Sequence, residues 1–153
     1  MKCTFCDFIN GKRNKGKDDY PFLPLYETKN TVSFLSVDLP VHEYCHTLII
    51  PKKHFESIEI VPRKILHELI EHAKIASKVI RKHHQGCNIL LNNGKYAEQY
   101  VNHLHFHVIP RDKNDGLKLI SWKEKRMNLE KFKSLSRKLK KEFMTISLQL
   151  QIY

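Results

Sequence analysis

The densest chemistry in the chain is the run His103-Leu104-His105-Phe106-His107-Val108-Ile109. In an extended strand successive side chains alternate faces, so the three imidazoles share one face and Leu104, Phe106 and Val108 share the other. A solvent-facing strand surface more naturally carries Thr, Lys or Glu, so imidazoles backed by an apolar layer point to use rather than to surface polarity. Positions 103 and 107 are roughly 13 Å apart along a strand, while a metal sits about 2 Å from each ligating nitrogen, so one ion cannot readily take all three rings. At most a neighbouring pair shares a metal, leaving a histidine for other work. A neutral imidazole is available near pH 7, attacks phosphorus through one nitrogen, and needs a partner on the other to fix its tautomer. Flanking imidazoles and amides can then hold phosphoryl oxygens and protonate a leaving group.

A second cluster is Cys3-Thr4-Phe5-Cys6, whose two-residue separation lets two thiolates share one Zn²⁺ tetrahedrally if two further ligands are supplied. The bland alternative is a pair of buried free thiols. Cys45 and Cys87 have no partner at metal spacing and read as core residues. His67 and His72, and the pair His83-His84, read as structural or solvated side chains of a helix.

The elements that must position these groups follow from periodicity. Leu25 to Glu27, Thr31 to Val37 and His46 to Ile50 read as strands, the last stopped by Pro51. Ile65, Leu66, Leu69, Ile70, Ala73, Ala76, Val79 and Ile80 recur at helical spacing, with Pro62 near the start and Gly86 past the end. Asn88 to Asn92 and Val101 to Ile109, separated by Asn93-Gly94, suggest an antiparallel pair ended by Pro110. Phe132, Leu135, Leu139, Phe143 and Ile146 form the apolar stripe of a basic C-terminal helix. Strands, helix, strands, helix predict an α+β fold with a mainly antiparallel sheet.

Length and composition bound the class. A chain of 153 residues suits one domain over 1–153, with residues 1–24 as an N-terminal segment and basic loop and 123–153 as the basic helix and tail. The longest unbroken apolar runs are three to four residues, such as Leu48-Ile49-Ile50, far below the roughly 20 needed to span a bilayer, so no membrane partner is expected. Met1-Lys2 runs straight into Cys3 rather than into an apolar stretch, so a cytoplasmic protein with reduced thiols is expected. Twenty-seven Lys plus Arg against 16 Asp plus Glu give +11, which favours anionic ligands without choosing among them. The basic residues of the tail read first as the solvated face of an amphipathic helix and second as a nucleic-acid patch, but no aromatic platform for bases is visible there.

The triad segment resembles the signature of the histidine triad (HIT) superfamily, His-φ-His-φ-His-φ-φ with φ apolar. The likeness extends to the Cys-x-x-Cys start, to Cys45-His46-Thr47-Leu48-Ile49-Ile50-Pro51-Lys52-Lys53-His54, to Asn92-Asn93-Gly94, to Gln99 and to Ile109-Pro110-Arg111. What the resemblance implies is a HIT-like fold and an enzyme in which His105 attacks the α-phosphate of a nucleotide to form a covalent nucleotidyl-histidine. His107 would assist the leaving group and His46 would support the triad. Asn92 and Gln99 would contact phosphate, and Asp38, or Ser36 by another count, would grip ribose hydroxyls. His54 and His103 would complete a structural Zn²⁺ site with Cys3 and Cys6, and the chain would form a homodimer. The Ile109-Pro110-Arg111 ending and helical tail resemble the diadenosine polyphosphate branch more than the phosphoramidate branch. Alternatives are a nucleotide-binding module with little turnover and a nucleic-acid-directed relative of the DNA-adenylate type. Glu98-Gln99-Tyr100 departs from the Gly-Gln-Ser or Gly-Gln-Thr of many relatives, and the basic loop before Leu25 is longer.

Overall fold

Apolar residues at alternate positions of the strands select two faces of one sheet. In the computed structural model, which describes residues 3–16, 19–37, 45–118 and 127–150, five strands pair antiparallel throughout. They are β1 (Pro24–Glu27), β2 (Thr31–Leu35), β3 (Thr47–Pro51), β4 (Gly86–Leu91) and β5 (Phe106–Arg111), in the order β1-β2-β3-β5-β4. The helices are α1 (Thr4–Ile9), α2 (Arg63–Ile80) and α3 (Leu129–Leu150). The fold is α+β, as the element order predicts.

Register sorts the side chains. Phe34 lies opposite Leu48, and Leu48 opposite His107, so these three share one face across β2, β3 and β5. That face, with Val32 and Ile50, packs against Cys3 and Phe5 of the N-terminal segment. The opposite face carries Leu35, Ile49, Phe106 and Val108, which join Leu69, Ala76 and Val79 of α2 and Phe132, Leu139 and Phe143 of α3 in the main core. A sheet covered on both sides explains why β2 and β3 are buried at every position. The face split read from alternation holds, because Leu104, Phe106 and Val108 all enter the main core while His103 and His105 meet Phe5 of α1 and His107 lies opposite Leu48.

Several boundaries differ from the sequence reading: β2 ends at Leu35 rather than Val37, Pro51 is the last residue of β3 rather than its stop, and three others have a local cause. The triad strand begins at Phe106 rather than Val101, because the Leu104 amide donates to the Phe55 carbonyl and the His103 amide to the Val101 carbonyl instead of joining a ladder. Pro110 does not end β5 but pairs opposite Cys87; β3 has already parted from β5 after Val108, so the missing N–H interrupts no ladder. Gly86 opens β4 rather than capping α2, which ends at Ile80 in a turn through residues 81–84. Short α1 ends on Asn10 and Gly11, whose φ of +67° is the left-handed stop that glycine adopts without penalty. The Asn128 side chain accepts from the Glu130 amide and starts α3. Among the described residues no helix is long and apolar enough to cross a membrane.

Candidate active site and metal centre

Alternation gives the three triad imidazoles one face, but their neighbours give them different tasks. His103 is fully buried, and its Nε2 lies 2.9 Å from the Pro51 carbonyl oxygen. A carbonyl only accepts, so Nε2 carries the proton and Nδ1 keeps its lone pair. That Nδ1 lies 3.4 Å from Cys3 Sγ and 3.6 Å from Cys6 Sγ, while Cys6 Sγ lies 3.4 Å from His54 Nδ1. One ligand atom from each of Cys3, Cys6, His54 and His103 falls within 4.8 Å of the others. Burial and the neighbouring Cys3 push the Cys6 thiol up to about 11, so closely spaced thiolates here need a cation to offset them. Burial holds His103 down at about 4, which keeps it neutral as a ligand must be. The residues therefore fit a metal ion: two sulfurs, two nitrogens, and a carbonyl fixing the tautomer of one imidazole.

His105 repeats this tautomer logic toward different chemistry. Its Nδ1 lies 2.7 Å from the His103 carbonyl oxygen and donates to it, which leaves the Nε2 lone pair as the reactive position. Burial pushes its pKa below the ordinary histidine value, so the ring is neutral at pH 7. His107 Nδ1 lies 2.9 Å from His46 Nε2, and the two rings stack at 5.1 Å between centroids. His107 Nε2 is buried and, among the described residues, has no hydrogen-bond partner. Burial, with His46 and His105 beside it, drives His107 far below its usual pKa. A buried ring nitrogen without a partner costs about 1–3 kcal/mol, which an oxygen of a bound ligand would recover.

A cavity of about 480 Å³ opens over these rings. Its lining runs in sheet order: Phe34, Leu35 and Ser36 at β2, His46 and Leu48 at β3, His105 and His107 at β5, and Asn92 and Glu98 beyond the end of β4. Over the β2 side Phe8 stacks on Phe22 at 4.8 Å, and Phe22 meets Phe34 edge-on at 4.9 Å. Phe5 meets both Phe34 and His105 edge-on at 5.5 Å. The result is an aromatic compartment on one side of the imidazoles and, on the other, a loop that brings Asn92, Glu98, Tyr100 and Val101.

Of the residues expected at this site, the structure brings His46, His105, His107 and Asn92 to the cavity and Cys3, Cys6, His54 and His103 to the metal cluster. Asp38 lies outside the described residues; Ser36, its alternative, lines the cavity. Gln99 is not part of the lining. Its Oε1 accepts from the Gly94 amide at 2.6 Å and its Nε2 donates to the Glu56 carbonyl at 2.8 Å, so both ends brace the loop backbone. Arg111 is likewise occupied, by Asp115 and Asn88. Cys45 and Cys87 stay outside both clusters, and His72 is buried under α3 against Tyr26 and Phe143. The aromatic wall of Phe5, Phe8, Phe22 and Phe34 was not foreseen; the signal was Phe5 and Phe8 interleaved with the two cysteines.

A family profile described as the HIT domain matches residues 20–114 of this chain. The chain belongs to the HIT family. An uncharacterized HIT-like protein of Methanocaldococcus jannaschii is 39% identical over 115 residues, covering 74% of this chain and 82% of its own length. Another HIT relative, the adenosine 5'-monophosphoramidase of Candida albicans, is 34% identical over 151 residues, covering 94% of this chain and 93% of its own. Among solved HIT structures, a zinc-bound histidine triad family protein from Mycobacterium smegmatis superposes with a TM-score of 0.76 at 28% identity, covering 97% of this chain and 98% of that one.

Proposed function

We propose that the chain is a HIT-family nucleotide hydrolase that cleaves at the α-phosphorus through a covalent nucleotidyl-histidine on His105. Hydrolase activity on nucleotides is supported by relatives named adenosine 5'-monophosphoramidase and adenylylsulfatase. The observation that supports the covalent step is the 2.7 Å contact from His105 Nδ1 to the His103 carbonyl, which leaves the Nε2 lone pair unused on a ring that lines the cavity. The lone pair of Nε2 forms a bond to phosphorus as the bond to the leaving atom breaks. The leaving atom keeps the electron pair and takes a proton delivered from solvent through the His46–His107 pair. The ring then carries positive charge, which the His103 carbonyl dipole stabilises. Water attacks phosphorus next, the pair of the P–N bond returns to Nε2, and the proton released from water balances the one delivered. His107 Nε2, buried and without a partner among the described residues, is available to a phosphoryl oxygen or the leaving atom.

The nucleoside suits the aromatic compartment, where a base can stack or meet ring edges. A phosphoramidate fits better than the dinucleoside polyphosphate class suggested by the Arg111 ending. Arg111 is occupied elsewhere, and among the described residues no Lys or Arg lines the cavity to hold further phosphates. At Cys3, Cys6, His54 and His103 we infer Zn²⁺, since two thiolates and two imidazoles are its preferred tetrahedral set and a neighbour of known structure is zinc-bound. The ion would act structurally, tying α1 to the triad segment and leaving no position for water.

The experiment is rapid-quench intact mass spectrometry with adenosine 5'-phosphoramidate. Wild type should gain one adenylyl group, mapped to His105, and His105→Ala should show neither adduct nor turnover. Turnover of His105→Ala at the wild-type rate overturns the mechanism.

A further inference from the structure

Of the non-glycine residues with positive φ among the described residues, Asp19, Glu98 and Asn114, Glu98 lines the cavity. It adopts φ +63° and ψ 32°, left-handed territory that costs a residue with a Cβ about 1–2 kcal/mol. The conformation is held from several sides. The Glu98 carbonyl accepts from Asn92 Nδ2 at 3.2 Å, the Glu98 amide donates to the Lys95 carbonyl, and Gln99 fastens the loop to residues 56 and 94. An over-determined, strained residue beside a ligand cavity is a sign that its side chain is placed for a purpose.

Glu98 lines the cavity, and among the described residues its carboxylate makes no ion pair. Sheet order fixes which part of a substrate it would meet. The aromatic compartment stands at β2, the imidazoles at β3 and β5, and Glu98 past the end of β4. With a nucleoside on the β2 side and its phosphorus at His105, the leaving group emerges on the β4 side. There it meets one carboxylate and, among the described lining residues, no Lys or Arg, although the whole chain carries +11.

Building on the α-phosphorus reading above, we propose that Glu98 is a specificity-determining residue that sorts substrates by the charge of the leaving group. It favours nucleoside phosphoramidates whose amine portion carries a second, cationic ammonium and disfavours leaving groups that are anionic. An exposed carboxylate acts through a high-dielectric mouth, so the discrimination is on the order of 3–10-fold per unit of leaving-group charge and weakens as salt rises.

The test uses three adenosine 5'-phosphoramidates that differ at the far end of the amine: 1,4-diaminobutane, butylamine and 4-aminobutyrate, carrying positive, neutral and negative charge. Wild-type kcat/KM should fall in that order. Glu98→Gln, which keeps shape and backbone demand, should flatten the series, and Glu98→Lys should reverse it. The same ligands are titrated by calorimetry against His105→Ala with and without Glu98→Gln, so that Kd reports the sorting without turnover. Rates and Kd ratios that do not move with residue 98 overturn the proposal, while the hydrolase reading stands on its adduct. Absence of turnover in wild type with Kd ratios that still follow residue 98 fails the hydrolase reading and leaves the sorting intact.

Discussion

The Phe5 ring meets the His105 imidazole edge-on at 5.5 Å, and Phe5 sits between Cys3 and Cys6 in the chain. One short helix and its N-cap therefore carry two of the four residues that could hold a metal ion, and part of the wall beside the His105 imidazole. Six residues are too few to hold a helix by themselves, so its position depends on the cluster it enters.

Metal removal should accordingly loosen the cavity as well as the fold. Free metal at a thousandfold its Kd stabilises the folded state by about 4 kcal/mol, and chelation should remove that amount. Purified protein should hold one zinc per chain by elemental analysis. Chelation should lower both Tm and affinity for adenosine 5'-monophosphate, and Cys6→Ser should behave as the chelated protein does. Unchanged nucleotide affinity after complete metal loss would separate α1 from the cavity.

The acid limb of activity should lie below the ordinary histidine range. The proposed attack needs neutral His105, and burial lowers its pKa, so on that mechanism protonation should shut the enzyme down only as pH falls below 6.5. The profile of kcat/KM against pH reports this group in the free enzyme. A midpoint at or above 6.5 would mean that the attacking ring is solvated.

His46 should matter through His107 rather than through substrate. The 2.9 Å contact fixes the tautomer of a ring whose other nitrogen is buried and unpartnered. His46→Ala should lower kcat about 10–100-fold with a small change in KM, and His46→Gln, which retains a polar end, should recover part of the loss. A loss carried by KM alone would make His46 a binding residue instead.

Gln99→Ala should destabilise by about 2 kcal/mol, since it strips partners from the Gly94 amide and the Glu56 carbonyl. Urea melts measure this directly. An effect on KM without any stability loss would point to contact with substrate rather than loop bracing.

How much of this is legible in the sequence depends on the kind of information each residue carries. Alternation was enough to separate Leu104, Phe106 and Val108 from the histidines, because period two is set by backbone geometry alone. Periodicity likewise found α2 and α3. It could not tell that His103 serves a metal cluster while His105 serves a cavity two residues later, since that division depends on Pro51 and α1 arriving from elsewhere. Nor could it tell that Ile70, on the helical pattern, is 52% exposed while His72, off it, is 1% exposed; α3 decides which stripe of α2 is covered. For Gln99 the HIT resemblance implies a phosphate contact, and what the sequence does not carry is that both ends of its amide are held by loop backbone.

Buried His72 makes an acid-sensitivity prediction that tests the core independently of the site. Its Nδ1 lies 2.8 Å from Thr31 Oγ1, its Nε2 is buried and unpartnered, and desolvation lowers its pKa from 6.5 to about 3. The folded state holds the ring neutral while the unfolded chain protonates it below 6.5. Its contribution is therefore fully present above pH 6.5 and is lost as pH falls from there toward 3. The slope approaches about 1.4 kcal/mol per pH unit for one proton once the unfolded ring is charged. His103, His105 and His107 add slopes of the same sign. Denaturant melts between pH 7.5 and 4.5 should thus show stability falling steeply below 6.5. His72→Asn, which keeps a polar partner for Thr31 but no titrating proton, should be less stable at pH 7.5 yet lose about one proton's worth of slope. An identical slope in the variant would mean that the ring is already protonated, or solvated, in the folded protein.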